Sequence, residues 1–390
     1  MSERLPDCPH RPPCPGCPRY GERGIAAPVR SRLEAFAAAH GLPLDVVEGA
    51  RLGFRQRARL AVRGRANSPK IGIFQTGSHR IVDLPSCRTH HPLVNRTTAA
   101  LKHAIRTTGV SPYADRPHRG ELRYVQVVVE RGSGRAQVVL VGNADAPGPL
   151  APVADALIAA MGDALHSLWW NGQPEHSNAI LGPHWQLLRG DEATEERIGG
   201  VSVFFPPGAF GQSHLELADA LVERVASWIP DGARVAEFYA GCGAIGLGLL
   251  PRSTAVTFNE RSEYALRGLE LGLARRPAEE RGRARVEAGP AAERVDALAG
   301  ADAVVVDPPR KGLDPALLEA LVQAPPRQLA YVSCAVDSFA RDAERLLADG
   351  RVRLRELTAF ASFPYTQHVE IAARFERPVA ATPDTREPKR

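Results

Sequence analysis

Residues 234–246 have the sequence Arg234-Val235-Ala236-Glu237-Phe238-Tyr239-Ala240-Gly241-Cys242-Gly243-Ala244-Ile245-Gly246. The first five residues are typical of a buried strand, and an apolar helix pattern follows the glycines. Gly241, Gly243 and Gly246 form a G-x-G-x-x-G motif at a strand-to-helix turn, which is the context that the motif requires. From residue 201 onward, strand and helix patterns alternate, as in a doubly wound parallel sheet. The sequence therefore predicts an α/β fold for the second half of the chain.

The next predicted strand, Ala255 to Phe258, ends at Asn259-Glu260. A carboxylate at this place can accept hydrogen bonds from both hydroxyl groups of an adenosine ribose. Together with the glycine motif it predicts a nucleoside cofactor, either a dinucleotide or S-adenosylmethionine. We interpret Cys242, inside the glycine loop, as a packing residue.

A further apolar strand, Ala303 to Val306, leads into Asp307-Pro308-Pro309-Arg310-Lys311-Gly312. An acid and a stiff double-proline turn would then lie at the carboxyl end of a parallel strand, beside the cofactor crevice. Hydride transfer has no evident need for this arrangement. Methyltransferases use a related Asp/Asn-Pro-Pro loop to hold the base that they modify, so the motif favours S-adenosylmethionine.

Cys334 lies between a predicted strand, Leu329 to Val332, and a predicted helix, Asp337 to Leu347. Enzymes of the α/β class place catalytic groups on such loops. Cysteine is also among the most buried residue types. The loop alone therefore leaves both a nucleophile and a packing residue open.

The first half of the chain differs in charge and in pattern. Residues 1–132 carry 22 Lys and Arg against 10 Asp and Glu, a balance of +12, whereas the remainder carries 27 against 34, a balance of −7. The alternation from Phe54 to Arg65 predicts a strand with Arg55, Arg57 and Arg59 on one face. Such a surface is typical of polyanion binding, although a solvated face without a partner would look the same.

Four of the six cysteines are Cys8, Cys14, Cys17 and Cys87, and no secretory signal precedes them. In that context the cluster indicates a metal site more readily than disulfides. Four thiolates suit zinc or an iron–sulfur cluster. The C-x5-C-x2-C spacing lacks the two short Cys-x-x-Cys pairs of a zinc ribbon, which favours iron–sulfur.

These motifs, with Phe363-Pro364-Tyr365-Thr366-Gln367-His368-Val369-Glu370, resemble the S-adenosylmethionine-dependent RNA uracil-5-methyltransferases, whose iron–sulfur members modify 23S ribosomal RNA. The resemblance implies a Rossmann-like class I methyltransferase domain over 200–377. A mixed α+β RNA-binding domain that carries the iron–sulfur cluster would precede it over 1–199. We expect the proline-rich, charged residues 378–390 to form a disordered tail.

The resemblance also implies roles for individual residues. Cys334 would add to carbon 6 of uracil as the nucleophile, and Glu370 would be the base that removes the proton from carbon 5. S-adenosylmethionine would be bound by Gln212, Tyr239, Gly241, Gly243, Glu260 and Asp307. A structural [4Fe-4S] cluster would be bound by Cys8, Cys14, Cys17 and Cys87.

Three positions depart from the family pattern: Ala335-Val336 replaces Asn-Pro, Tyr365 replaces a histidine, and Ala244 replaces an asparagine of several relatives. Only seven residues precede Cys8, so the chain resembles the short branch without an N-terminal TRAM barrel, which acts on a 23S ribosomal RNA hairpin loop. Transfer RNA is the alternative substrate. We expect a cytoplasmic monomer, because neither a signal peptide nor a membrane span is evident.

Other classes fit less well. A cytosine-5 RNA methyltransferase would have a cysteine where Arg310 follows the two prolines, and an amino-methyltransferase would have an aromatic residue there. A catalytically impaired RNA-binding relative is the alternative of a different class. The departures at Ala335-Val336 and Tyr365 are its best support.

Overall fold

The computed structural model describes residues 6–116 and 118–378. The tail predicted over 378–390 lies, apart from Pro378, outside the described residues. The helices are α1 (Ala27–Ala39), α2 (Pro92–Thr108), α3 (Ala151–Met161), α4 (Leu215–Ser227), α5 (Gly246–Leu249), α6 (Glu263–Ala274), α7 (Ala278–Arg281), α8 (Pro315–Gln323) and α9 (Val336–Leu347). Within the described residues, none of these helices is both long and apolar enough to cross a membrane.

The strands are β1 (Asp45–Val47), β2 (Arg57–Arg65), β3 (Ser68–Phe74), β4 (Ile81–Asp83), β5 (Leu122–Glu130), β6 (Arg135–Gly142), β7 (Leu165–Gly172), β8 (His184–Gly190), β9 (Thr194–Ile198), β10 (Val201–Phe205), β11 (Arg234–Phe238), β12 (Ala255–Glu260), β13 (Ala284–Ala288), β14 (Ala303–Val306), β15 (Gln328–Ser333), β16 (Arg353–Phe360) and β17 (Glu370–Glu376). Short 3-10 helices lie at Gly148–Leu150, Gly162–Ala164, Leu250–Arg252, Ala291–Glu293 and Val295–Leu298.

The first sheet has seven strands in the order β4-β3-β2-β5-β6-β7-β8. One face is covered by α2 and α3, and on it Ala58, Leu60 and Val62 of β2 are buried in an apolar core. Side chains alternate along a strand, so Arg57, Arg59 and Arg63 point to the opposite face. The predicted strand with one basic face is confirmed from Arg57 onward. We call this opposite side of the sheet the basic face.

The second sheet has eight strands in the order β1-β16-β17-β15-β14-β11-β12-β13. The neighbouring strands are parallel, except that β17 runs antiparallel to both β15 and β16. Apolar cores lie on both faces. This sheet confirms the predicted doubly wound α/β fold, and its parallel strands β11, β12, β14 and β15 end at one common edge.

A segment of the first half joins this second sheet. Strand β1 pairs in parallel with β16, and Leu33 and Ala37 of α1 are buried in the core beneath it. The sequence analysis did not predict this contribution, since two short elements give little pattern to recognise. The hairpin β9–β10 leads from the first sheet into α4.

Three local sequence patterns predict elements that the structure does not contain. The residues from His176 to Leu181 have the pattern of a strand but form a loop, in which the side chain of Gln173 donates to the carbonyls of Ala179 and Leu181, both at 3.2 Å. The residues from about Pro152 to His166 have the pattern of one helix, but α3 ends at Met161, where Gly162 adopts a positive φ of 49°.

The third pattern is Ser213 followed by Glu216, a spacing that predicts a capping box at the start of α4. His214 is the N-cap residue and makes no side-chain capping hydrogen bond. Glu216 instead accepts a hydrogen bond from the backbone N–H of Ala50 at 3.0 Å. The carboxylate therefore fixes the chain before β2 instead of closing its own helix.

Candidate active site

Four of the predicted site residues lie at the carboxyl edge of the second sheet. Tyr239 follows β11, Glu260 ends β12, Asp307 follows β14 and Cys334 follows β15. The register places Phe238 beside both Asn259 and Val306, and Val306 beside Tyr331. Parallel pairing thus gathers residues that are almost a hundred positions apart in the sequence.

The glycine loop has a backbone that side chains would hinder. Tyr239, Gly241 and Gly243 have φ values of 59°, 55° and 83°, in the left-handed region that L-residues seldom adopt. The backbone N–H of Gly246 donates to Glu237 Oε2 at 3.0 Å, and a β-carbon on Gly246 would lie only 2.1 Å from that oxygen. The loop is therefore held against a buried carboxylate that the sequence analysis did not identify.

The carboxylate of Glu260 is fixed by backbone groups. It accepts hydrogen bonds from the N–H groups of Gly241 at 2.9 Å, Arg261 at 2.8 Å and Ser262 at 2.6 Å. An ionised carboxylate has about four acceptor positions. Glu260 can therefore hold the glycine loop in place and still accept a hydrogen bond from a hydroxyl group of a ribose.

Tyr239 connects the glycine loop to the loop after β14. Its hydroxyl group donates to Asp314 Oδ2 at 3.2 Å and accepts from the backbone N–H of Asp314 at 3.0 Å. Burial raises the pKa of Tyr239 above its ordinary value, so the phenol stays protonated. Asp314 in turn forms an ion pair of 2.8 Å with Lys311.

The loop of Asp307 is also bound to α9. Asp342 is buried, and its Oδ2 accepts from the N–H of Leu313 and the hydroxyl of Tyr331, both at 2.8 Å. Arg341 donates to the carbonyl of Lys311 at 2.7 Å. The pair Arg341-Asp342 therefore orients the double-proline loop, a positioning role that could not be assigned from the sequence.

Cys334 and Glu370 come together through the antiparallel strand β17. Ser333, the last residue of β15, pairs with Ile371 in an antiparallel register. Cys334, which follows Ser333, and Glu370, which precedes Ile371, therefore lie at the same end of this strand pair. Glu370 is buried, and Gln212 donates to its Oε1 at 3.4 Å. The structure therefore brings the predicted nucleophile, the predicted base and Gln212 into one cleft.

This cleft is electrostatically strained by its carboxyl groups. Burial, reinforced by the charge of Asp307, raises the pKa of Glu370 to about 8. Neighbouring protein atoms and the charge of Glu260 also raise the pKa of Asp307, although this residue remains exposed to solvent. Burial likewise raises the pKa of Glu237 to about 8. A ligand with positive charge would relieve this repulsion.

The thiol of Cys334 is half-buried in the same cleft. Burial raises its pKa, and the charges of Glu370 and Asp307 raise it further. The guanidinium of Arg310 acts in the opposite direction and lowers this pKa. Cys242, in contrast, is fully buried behind the glycine loop, where burial raises its pKa to about 12, in line with a packing residue.

The four clustered cysteines line one cavity of about 460 Å³, and Arg55, Arg57, Arg59 and Phe210 also line it. Burial, and after it the charges of the other three cysteines, raise the pKa of Cys17 to about 12. For Cys87, burial is outweighed by hydrogen bonds from His90 and Thr89, which lower the pKa to about 6. Across residues 6–116 and 118–378, no group of three or more His, Cys, Asp or Glu side chains has the geometry to hold a metal ion.

The loop of residues 8–20, which carries Cys8, Cys14 and Cys17 and which we call the cysteine loop, contacts the segment that precedes Glu370. The N–H of Arg19 donates to the carbonyl of Tyr365 at 3.0 Å, and the rings of Tyr20 and Tyr365 lie 4.9 Å apart. Tyr365 is buried with a positive φ of 67°. Its departure from the family pattern is therefore located where the cysteine loop meets the catalytic segment.

The basic face is joined to the loop that carries Gln212. Arg57 donates to the carbonyl of Ala209 at 3.0 Å, and Gln126 donates to the carbonyl of Pro207 at 2.7 Å. Phe210 lies in this loop with 75% of its surface exposed. A surface of arginines and one exposed aromatic ring thus leads directly to the cleft, although the sequence analysis did not identify Phe210.

Comparisons with known proteins agree with this geometry. Residues 293–377 match the family model of tRNA (uracil-5-)-methyltransferases. An uncharacterised RNA methyltransferase of Protochlamydia amoebophila is 34% identical over 384 residues, which cover 97% of this chain and 99% of that protein. One from Gloeobacter violaceus is 33% identical over 392 residues, which cover 95% of this chain and 84% of that protein.

A solved structure shares the fold. The tRNA (uracil-54, C5)-methyltransferase of Pyrococcus abyssi, in complex with S-adenosyl-L-homocysteine, has a TM-score of 0.73 and 25% identity, and the match covers 89% of this chain and 82% of that one. The α/β fold and the prediction of S-adenosylmethionine are thereby supported from outside the sequence. The chain is an RNA methyltransferase and belongs to the S-adenosylmethionine-dependent RNA uracil-5-methyltransferase family.

Proposed function

We propose that this enzyme transfers a methyl group from S-adenosylmethionine to carbon 5 of a specific uridine in RNA, through a covalent bond between Cys334 and carbon 6. The observation that supports it best is the pairing of Ser333 with Ile371, which brings Cys334 and Glu370 together at one end of the strand pair. The glycine loop and Glu260 lie at the same edge of the sheet.

In the proposed cycle, each bond that forms is matched by a bond that breaks. Carbon 5 of uracil is a poor nucleophile, so the thiolate of Cys334 first adds to carbon 6 and leaves an enolate. Carbon 5 then takes the methyl group from the sulfonium; the bond between that methyl group and sulfur breaks, and S-adenosylhomocysteine is the leaving group. Glu370 removes the proton that remains on carbon 5, and the bond between Cys334 and carbon 6 breaks to release the thiolate.

The cleft provides the charge environment for these steps. S-adenosylmethionine supplies a methyl group on a sulfonium cation, which a group of carboxylates attracts. A nearby positive charge lowers the pKa of Glu370 from about 8, so the carboxyl group ionises and can act as a base. Arg310 would favour the thiolate of Cys334 in the same way.

Replacement of Cys334 by Ala tests the nucleophile. We expect Cys334→Ala to lose transfer of labelled methyl groups to RNA while it still binds S-adenosylmethionine, because the thiol is outside the predicted cofactor contacts. Calorimetric titration of the cofactor shows whether the variant is folded. Normal turnover by Cys334→Ala would exclude covalent catalysis through this residue.

We propose 23S ribosomal RNA as the substrate, on the basis of the resemblance to the iron–sulfur members of the family. Transfer RNA is the second candidate, because the Pyrococcus abyssi enzyme that shares the fold is a tRNA methyltransferase. Mapping of 5-methyluridine in ribosomal and transfer RNA from cells with and without this protein decides between them. A position that loses the modification in transfer RNA alone would overturn the ribosomal assignment.

We further propose that Cys8, Cys14, Cys17 and Cys87 bind a structural [4Fe-4S] cluster, with zinc as the alternative. The support is a donor set of four thiols around one cavity, in which Cys87 ionises readily. Thiolates are the ligands that such clusters require. Iron and acid-labile sulfide in anaerobically purified protein would support the cluster, and stoichiometric zinc without sulfide would exclude it.

Residues 1–199 are proposed as the RNA-binding unit and 200–377 as the methyltransferase domain, with the protein acting as a monomer. The basic face and its contacts with the loop of Gln212 support the first assignment. Because binding through phosphates releases counterions, RNA affinity should fall steeply with salt. A flat salt response would contradict this assignment, and light scattering of the purified protein tests the monomer.

A further inference from the structure

A cavity of about 820 Å³ opens on the basic face, outside the catalytic cleft. Strands β2, β3 and β4, the loop before β5 and the cysteine loop form its walls. It is lined by residues that include Arg63, Lys70, Arg80, Ile81, Tyr113 and Asp115. No step of the proposed reaction uses this cavity, so its polar and aromatic lining calls for a separate explanation.

The floor of the cavity is a guanidinium enclosed by aromatic rings. Arg63 is 8% exposed, and its Cζ lies 5.3 Å from the ring centre of Phe74, 5.0 Å from that of Tyr113 and 5.1 Å from that of Tyr124. Its Nη2 forms an ion pair of 3.0 Å with Asp115. The charge of Arg63 is therefore neutralised locally, and its flat surface is held rigid.

The rim of the cavity keeps its positive charge. Lys70 and Arg80 are exposed, and among the ion pairs of the described residues neither takes part in one. Asp115 is the only acidic residue of the lining, and Arg63 already pairs with it. Arg116 is also exposed in this lining and likewise has no ion pair among the described residues, so three cations lie above a floor of aromatic and aliphatic groups.

This combination matches the chemistry of a nucleotide. Exposed cations bind phosphate oxygens, whereas the half-buried Ile81, with the buried ring of Tyr113 behind it, offers contact to a base that has left its stack. A volume of about 820 Å³ falls in the range of cavities that enclose small ligands. A bare anion would need the cations but not the apolar wall.

We propose that this cavity binds an unpaired nucleotide of the RNA substrate at a distance from the target uridine. Its base lies against the floor and its phosphate contacts Lys70 and Arg80. The seven residues from Arg57, beside the loop of Gln212, to Arg63 span about 20 Å of strand β2. Several nucleotides of single-stranded RNA cover such a distance. The inference rests on the proposed role of residues 1–199 in binding RNA.

The test compares short and long RNA on the full-length protein. Fluorescence anisotropy gives the Kd of uridine oligonucleotides of about four and about twelve nucleotides, a range that single-strand sites cover. We expect the double variant Lys70→Gln/Arg80→Gln to bind the longer oligonucleotide roughly tenfold more weakly and to lower its salt slope by about 1.4, since each phosphate contact contributes about 0.7. Binding of the shorter oligonucleotide should not change.

The matched control removes two charges from the opposite side of the sheet. Arg96 and Arg106 are exposed on α2, which covers the other face, and Arg96→Gln/Arg106→Gln should bind both oligonucleotides as the wild type does. Equal loss for both double variants, or unchanged binding by Lys70→Gln/Arg80→Gln, would overturn the proposal. Loss on the shorter oligonucleotide as well would show general attraction instead of a distant site.

Abasic RNA tests the base-binding part. Removing the bases from the half of the longer oligonucleotide that reaches the cavity should weaken binding to the wild type but not to Lys70→Gln/Arg80→Gln. If the wild type bound the intact and the abasic forms of the longer oligonucleotide with equal affinity, the site would be a phosphate contact only, and the nucleotide assignment would be overturned. These measurements use no methyl transfer, so a failure of the catalytic proposal would not be mistaken for a failure of this one.

Discussion

Replacing Glu370 by Gln removes a buried ionisable carboxyl group beside Asp307 and leaves the shape of the side chain almost unchanged. Burial and Asp307 raise the pKa of Glu370 from its ordinary value of 4.5 to about 8. In that interval the folded protein holds a proton that the unfolded chain has released. The free energy of unfolding therefore falls as the pH rises from about 4.5 to about 8, and this contribution does not change further above about pH 8. An amide does not titrate, so this decline should be absent in Glu370→Gln.

The size of the effect follows from the pKa. A rise from 4.5 to about 8 corresponds to about 5 kcal/mol, at about 1.4 kcal/mol for each pKa unit, as the full cost of ionising the buried group. Water entry and local relaxation reduce this cost. We expect Glu370→Gln to match the wild type near about pH 5 and to be more stable by about 1–3 kcal/mol near about pH 9.

Urea denaturation followed by circular dichroism, without RNA or cofactor, measures this difference. Glu344→Gln is the matched control, because Glu344 is exposed on α9. Its replacement should change the free energy of unfolding by the same amount at both pH values. Parallel pH curves for the wild type and Glu370→Gln would refute the reasoning. They would mean that Glu370 is not forced to titrate near neutral pH by its surroundings.

Two further changes test the loop and the basic face. Asp342→Asn should destabilise the protein by roughly 1.5–3 kcal/mol, because a buried charged acceptor of two hydrogen bonds is weakened. The variant should also have a lower affinity for S-adenosylmethionine, because the double-proline loop loosens. Thermal unfolding and cofactor titration measure the two effects, and an unchanged cofactor affinity would exclude the positioning role. Phe210→Ala should weaken RNA binding by about 1–3 kcal/mol, as expected for the loss of one stacked base, and should leave cofactor binding unchanged. An RNA affinity equal to that of the wild type would exclude stacking on Phe210.

The sequence was sufficient to predict the second sheet and the residues along its edge. Each parallel strand has an apolar run followed by a polar residue, so Glu260, Asp307 and Cys334 could be placed at one edge before their distances were known. The pairing of Cys334 with Glu370 could not be derived from spacing. It depends on β17 entering the sheet antiparallel between β15 and β16.

What the sequence concealed is mostly tertiary contact. Asp342 appeared as one acid of an amphipathic helix, but its partners Leu313 and Tyr331 come from other elements. Glu216 had the spacing of a capping box, yet the N–H of Ala50 takes its carboxylate. Glu237 gave one weak signal, an acid within an apolar strand, which marks a buried carboxylate with a fixed partner.

Mass spectrometry of a trapped adduct tests the central claim most directly. Glu370→Gln is incubated with substrate RNA and S-adenosylmethionine, digested, and searched for a peptide that carries a nucleotide. The account predicts a methylated uridine on the peptide that contains Cys334, because the proton on carbon 5 cannot be removed and the thiol cannot leave. A variant that turns over at the wild-type rate without an adduct, or an adduct at Cys242, would contradict it.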